Sequence, residues 1–296
     1  MIPKHRFRPK SRGLGIQDWF KSIIAARPSR MFATQAVFKL LVKIAPLTHL
    51  PVVGELIKRA TLTSPDTCAT QGYSIPLNID VAKSIRPVTL PVELMKKAVR
   101  ESKYRAAMNS CVCRDAFACS TYPHDLACIF VGKGAKICVD NGIAHEATVE
   151  ECLARIDKAA SLGLSGQAYW MEVEAYVWGF KNEDMEKFLE FCFCCTCCCS
   201  AMQFSRKADR PSRTRYHRSI GWVATVNEKC VNCGSCVDVC PEQAITRNTT
   251  SIHINEDCGG CGVCLQQCKS GALQLSQKSP LKADLKEYFE GLSLDL

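Results

Sequence analysis

The chain has no clean apolar run of the ~18 to 20 residues that a membrane span requires. Its most apolar stretch, Met31 to Ile57, is interrupted by Lys39, Lys43, Pro46, Pro51 and Glu55. No secretory signal is expected: Met1 to Gly15 is basic, but no apolar h-region with a small-residue cleavage site follows. Gly-x-Gly-x-x-Gly is missing, and Gly132-Lys133-Gly134 lacks the spacing and the strand–helix setting of a phosphate loop. With no dinucleotide loop of its own, the chain is expected to receive electrons from another protein. There is no Ser–His–Asp order and no metalloprotease helix. The histidines are scattered, and only His124 and His145 lie near cysteines, where a surface or capping role is the plainer reading. Acids are almost missing from residues 1–60, which hold twelve Lys plus Arg against Asp18 and Glu55. The whole formal charge of +9 therefore belongs to an N-terminal arm. No nucleic-acid motif organises these bases. Phe32, Ala36, Phe38, Leu40, Leu41, Ile44 and Leu47 recur at helical spacing beside Lys39 and Lys43. That pattern suits an amphipathic helix on an anionic membrane face or an acidic partner, or a helix packed on its own domain.

What the chain has in excess is cysteine, 21 in 296 residues. Two runs near the C-terminus share one spacing: Cys230-x2-Cys233-x2-Cys236-x3-Cys240-Pro241 and Cys258-x2-Cys261-x2-Cys264-x3-Cys268. An iron–sulfur cube needs four thiolates. Three on one tight loop reach three corners, and the fourth cysteine of each run closes the other cube. Cys230, Cys233, Cys236 and Cys268 are thus expected to hold one [4Fe-4S] cluster, and Cys258, Cys261, Cys264 and Cys240 a second. The repeat reaches beyond the cysteines, because Val226-Asn227-Glu228-Lys229 aligns with Ile254-Asn255-Glu256-Asp257. Each half reads as strand, loop, helical turn near Val237 or Leu265, and return strand. Zinc knuckles would leave the third and fourth cysteine of each run unused. A disulfide scaffold is disfavoured in a chain this long with no secretion signal. The stretch from Ile220 to about Gln277 resembles the two-cluster bacterial ferredoxins. It departs from them at Lys269, which stands where Pro241 stands in the first run.

A second cysteine system lies mid-chain. Cys111, Cys113, Cys119 and Cys128 form one packet, and Cys192, Cys194, Cys195, Cys197, Cys198 and Cys199 another. Crowded thiols oxidise readily unless metal holds them, so the packets are expected to meet and bind at least one further iron–sulfur cluster. On this reading adjacent cysteines cannot all reach one small zinc ion. Arg114 is read either as a charge offsetting such a cluster or as a solvated surface residue. Cys138 and Cys152 read as buried small hydrophobes, and Cys68 also stands apart from the packets. Leu90-Pro91-Val92-Glu93, Cys-x-Cys-Arg, the Cys128-Ile129-Phe130-Val131-Gly132 turn and the second packet are together similar to a cysteine-rich domain of anaerobic bacteria and archaea. That resemblance covers roughly residues 85–278 and implies 4Fe-4S binding without naming a reaction.

The expected fold is α+β, with a pseudo-twofold dicluster ferredoxin domain after a mainly helical cysteine-rich domain. Expected boundaries are a basic arm at 1–65, the cysteine-rich domain at 66–204, a basic linker at 205–219, the ferredoxin domain at 220–278 and a C-terminal amphipathic helix at 279–296. Function is expected to be single-electron transfer in the cytoplasm, with the arm docking on an acidic protein or peripherally at the inner membrane face. The partner would be a flavoprotein or another oxidoreductase. The alternatives are a reductase whose middle cluster binds substrate, and a metal-binding scaffold.

Overall fold

The structure, a computed structural model, describes residues 16–61, 63, 70–79 and 90–296. The basic stretch Met1 to Gly15, Cys68 and the 65/66 boundary lie outside these residues. The chain begins with α1 (Ile16–Ile24), α2 (Met31–Ile44) and α3 (Val53–Ala60). Then follow β1 (Thr70–Ile75), α4 (Pro91–Glu101), β2 (Arg105–Met108), α5 (Val112–Ala116) and β3 (Ile129–Val131). Next come α6 (Lys136–Asp140), β4 (Ala144–Glu146), α7 (Val149–Ser161), β5 (Ser165–Met171) and α8 (Glu174–Trp178). The second packet spans β6 (Leu189–Cys194) and the turn into α9 (Ser200–Ser205). After α10 (Arg210–Arg213) and β7 (Arg218–Ser219) comes the duplicated unit: β8 (Trp222–Val226), α11 (Ser235–Val239), β9 (Ile245–Arg247), β10 (Ile252–Ile254), α12 (Val263–Gln267) and β11 (Leu273–Gln277).

The fold mixes helix and sheet as expected, but the middle of the chain is not mainly helical. It is organised on a seven-stranded sheet in the order β4-β2-β3-β6-β5-β1-β7, with every described pairing antiparallel except β1 with β7. The sheet escaped the sequence reading because β1 and β5 are buried on both faces, which removes the in–out alternation that marks a strand. In addition, β6 is written in cysteine and phenylalanine and read as part of a metal packet. Thr148-x-x-Glu151 is the sequence pattern of a capping box, and helix α7 does start there, with the Thr148 hydroxyl accepting from the Glu151 N–H at 3.1 Å. The Glu151 carboxylate does not complete the capping box; it accepts from Arg155 and lies 2.8 Å from His145 Nε2.

Two further expectations change. The segment after Pro280 is not one amphipathic helix but a single 3-10 turn, Leu285–Tyr288, set by the reciprocal Asp284–Glu287 capping box. It packs on the sheet rather than on the duplicated unit, with Tyr73 Oη donating to the Tyr288 carbonyl at 2.5 Å. The segment 205–219 is no solvated linker. It carries α10 and β7, with Ser212 and His217 buried, and Gln243 Nε2 ties to the Arg206 carbonyl at 2.6 Å. The duplicated unit presses close to this edge: a Cβ on Gly259 would sit 1.7 Å from the His217 carbonyl oxygen, so only glycine fits.

The arm is partly integrated. Ala25 and Ala26 are fully buried, and the Lys21 amine donates to Asn182. Helices run through Pro28–His49, 22 residues that by length and composition alone are long and apolar enough to cross a membrane, with 22 % of the most apolar window buried. Lys39 and Lys43, which interrupt the apolar run in sequence, lie exposed within it.

Candidate metal centres

The duplicated unit closes on itself. β8 of the first copy pairs with β11 of the second, and β9 of the first with β10 of the second. Equivalent backbone bonds also cross, with Asn227 N–H donating to the Ala272 carbonyl and Asn255 N–H to the Ala244 carbonyl, both at 2.9 Å. This exchange carries the fourth cysteine of each run over to the other loop. A cavity is lined by Cys230, Cys233 and Cys236 of the first run together with Cys268 of the second, under Val226, Ile252 and Leu273. Gly234 and Gly262, with φ of 86° and 77°, let both loops turn into their helices. Backbone N–H groups point at sulfur: Ala244 at Cys240 (3.3 Å), Ala272 at Cys268 (3.2 Å) and Ala224 at Cys258 (3.4 Å). Burial pushes the Cys240, Cys261 and Cys264 thiols up, and the charges of neighbouring cysteines add to it for all three. Thiolates so crowded need a cation among them, which fits a metal cluster.

The two mid-chain packets meet. Sheet pairing of β3 with β6 sets Ile129 opposite Phe191 and so brings Cys128 to Cys192, whose sulfurs lie 2.9 Å apart. Cys194 and Cys199 approach to 3.1 Å, and the Ser200 N–H reaches Cys113 Sγ at 3.5 Å. One cavity is lined by Cys111, Cys113, Cys128, Cys192, Cys194, Cys195 and Cys199, with Arg114 as the only basic residue among its described walls. A second group shares Cys195 with this wall. Cys119, Cys195, Cys197 and Cys198 each bring a sulfur within 4.8 Å of the others. Cys119 and Cys197 stand 3.8 Å apart, which matches the ~3.8 Å sulfur spacing that metal–sulfur bonds of about 2.3 Å set at a tetrahedral angle. Adjacent Cys197 and Cys198 thus share one candidate ion site, against the sequence expectation. The turn after β6 makes this possible, because it throws neighbouring side chains to one side.

Arg114 is fully buried, not a solvated surface residue. Its guanidinium donates to the carbonyls of Pro123 (2.8 Å), Leu126 (2.6 Å) and Phe193 (2.7 Å), so it bridges the first packet's loop to the second packet. Burial opposes its charge, but the Cys111 and Cys195 thiols outweigh that and hold its pKa above the usual arginine value. His124 is not aimed at the sulfurs; it bonds Asp115 and the Cys119 carbonyl, and His145 bonds Asn109 and Glu151. Cys138 and Cys152 are buried small hydrophobes. Two acids that the sequence reading passed over, Glu174 and Glu190, are buried against the thiols. The available signal was their position inside otherwise aromatic or cysteine-bearing stretches.

A family profile described as a 4Fe-4S binding domain matches residues 223–246, which span the first cysteine run. No curated protein and no solved structure matches the chain. The motif and the mid-chain cysteine cluster make this an iron–sulfur protein, a composition that supports an electron-transfer role.

Proposed function

We propose that the chain is a multi-cluster electron carrier that takes electrons singly from a redox partner, a flavoprotein or another oxidoreductase. The C-terminal unit holds two [4Fe-4S] clusters. One is bound by Cys230, Cys233, Cys236 and Cys268, the other by Cys258, Cys261, Cys264 and Cys240. The observation that carries this reading is the cavity ringed by three cysteines of one run and the fourth of the other. A further iron–sulfur cluster draws its ligands from Cys111, Cys113, Cys128, Cys192, Cys194 and Cys199, which surround the cavity beside Arg114. The Cys119, Cys195, Cys197 and Cys198 group suits one tetrahedral iron or zinc ion. Such clusters supply one-electron exchange with little rearrangement. The polypeptide supplies N–H groups aimed at sulfur, one buried guanidinium and an apolar wrap that limits water.

The arm is proposed to dock the protein on the anionic inner face of the membrane. Among the described residues, eleven of the twelve exposed large hydrophobics lie between Trp19 and Leu56, among them Phe32, Leu40, Val52 and Leu56, which supports docking through the arm. Exposed Arg27, Arg30, Lys39, Lys43 and Arg59 flank them. Anaerobic reductive titration followed by electron paramagnetic resonance tests the carrier reading. Stepwise uptake of single electrons into more than one centre is expected. A protein that takes up no electrons from dithionite overturns it.

A further inference from the structure

Each position of the first cysteine run has a counterpart 28 residues on in the second, so the duplicated unit is its own internal comparison. The two loops share one backbone course. Asn232 and its counterpart Gly260 both take positive φ, and Arg247 and its counterpart Leu275 lie over the equivalent glycines Gly234 and Gly262. What differs is what the loops face. The second is turned inward: Cβ atoms on Gly259 and Gly260 would meet the His217 and Trp222 carbonyl oxygens at 1.7 and 2.0 Å. Ser165 Oγ donates to the Cys261 carbonyl at 3.0 Å. Val263 is buried, and it and Cys261 pack in one apolar cluster with Tyr169, Cys194 and Cys199. The second loop therefore abuts the mid-chain thiols.

The first loop is turned outward. Val231, the counterpart of Gly259, is 71 % exposed, and among the described residues it is the one exposed large hydrophobic outside the arm. Cys233 and Ser235, the counterparts of Cys261 and Val263, are exposed as well. Charge diverges in the same sense. Lys229 stands where the second copy has Asp257, and Arg247 where it has Leu275. Lys269, which follows the fourth cysteine of the first loop's centre, stands where the other centre has Pro241. All three bases are exposed, whereas Asp257 is held in an ion pair by Arg210 at 2.7 Å. Against them, Asp238 is the one acid that the first loop and its helix add, since Glu228 is matched by Glu256. A four-thiolate cube brings the same negative charge to both loops, so it leaves this contrast standing. A single apolar tip among bases, beside a redox centre, suits the small contact of a transient electron-transfer encounter, and the bases favour an acidic partner.

We propose that the rim of the first loop, Val231 with Lys229, Arg247 and Lys269, is the docking surface for an acidic one-electron carrier protein. The proposal rests on the electron-carrier reading and adds where the partner sits and which charge it bears. Duplication has let the two halves diverge: one loop has shed side chains to fit the sheet, and the other has gained an apolar tip and bases for a partner. The surface is separate from the arm, so the membrane and the redox partner need not compete for one face.

An acidic flavodoxin titrated anaerobically into the full-length protein at low salt, followed by isothermal titration calorimetry, tests the surface. Saturable binding is expected, and added sodium chloride should weaken it. Affinity should fall roughly tenfold in the triple variant Lys229→Asp, Val231→Gly and Lys269→Pro, which gives the first loop's rim the residues of the second, with iron and sulfide contents unchanged. Lys229→Gln with Lys269→Gln keeps the loop glycines and the proline pattern as they are, should weaken binding several-fold, and decides the matter if the triple variant loses iron. Carbodiimide coupling joins a partner's carboxylates directly to lysines, and peptide mapping should find Lys229 and Lys269 among the coupled residues. Absent or salt-insensitive binding in the wild type, undiminished affinity in the glutamine variant, or coupling confined to arm lysines such as Lys39 and Lys43 overturns the proposal. Coupling of two copies of the chain through the rim, or loss of anionic-vesicle binding in the rim variants, would give the surface to another occupant and overturn it too. A protein that binds flavodoxin through the rim but holds only zinc would leave the surface standing and sink the carrier reading. Stepwise electron uptake with no flavodoxin bound would do the reverse.

Discussion

Arg114 offers the sharpest test of how the mid-chain centre is built. Replacing it with methionine keeps much of the volume but removes three N–H donors from the carbonyls of Pro123, Leu126 and Phe193. A buried carbonyl left without a donor costs about 1–3 kcal/mol, and the three are coupled, so a total of about 3–5 kcal/mol is expected. Unfolding entropy of about 2.1 cal/mol/K per residue over this length converts that to a fall of roughly 5–8 °C in melting temperature. The methionine variant also removes the only basic side chain among the described walls of the thiol cavity, so the midpoint potential of that centre should move to more negative values. Arg114→Lys separates the two effects. Its ammonium keeps the charge but cannot fork across three carbonyls, so stability should fall while the potential moves little. Circular dichroism melts and potentiometric titration followed by electron paramagnetic resonance, both anaerobic, read the two quantities. A methionine variant that melts with the wild type and keeps its potential would refute the reasoning.

Cys240→Ala should damage the centre bound mainly by Cys258 to Cys264; spectroscopic loss of the first run's centre instead would disprove the crossed assignment. His217 is buried with its pKa lowered to about 3 from 6.5, chiefly by burial, so folding favours its neutral form. Its contribution is complete above pH 6.5 and is lost as pH falls toward 3, by up to ~5 kcal/mol at ~1.4 kcal/mol per unit. His217→Gln should therefore flatten the acid limb of the stability curve, and an unchanged limb would count against the buried neutral histidine. Phe32→Ser with Leu40→Ser and Leu56→Ser should leave the fold and the iron content intact while weakening binding to anionic vesicles. Undiminished vesicle binding by that triple variant would remove the arm from the docking account.

The C-terminal unit was legible because its chemistry is local. Cysteine spacing, glycines at positive φ and a 28-residue offset are properties of short segments, and they survive without knowledge of the rest. The helix at Val149–Ser161 was legible for the same reason, through Thr148 and Gly163. The seven-stranded sheet was not. Its pairings are long-range, its central strands are buried on both faces, and β6 spends its positions on cysteines. Arg114 was ambiguous in sequence because a lone arginine carries no sign of its burial; three distant carbonyls decide it.

The most direct test of the account is a count of iron, acid-labile sulfide and zinc per chain in anaerobically purified full-length protein. The account predicts iron and sulfide in near-equal amounts and in excess of the about eight of each that two [4Fe-4S] cubes supply. Iron and sulfide at no more than that level would remove the mid-chain cluster, and a protein holding zinc without sulfide would contradict the electron-carrier claim itself.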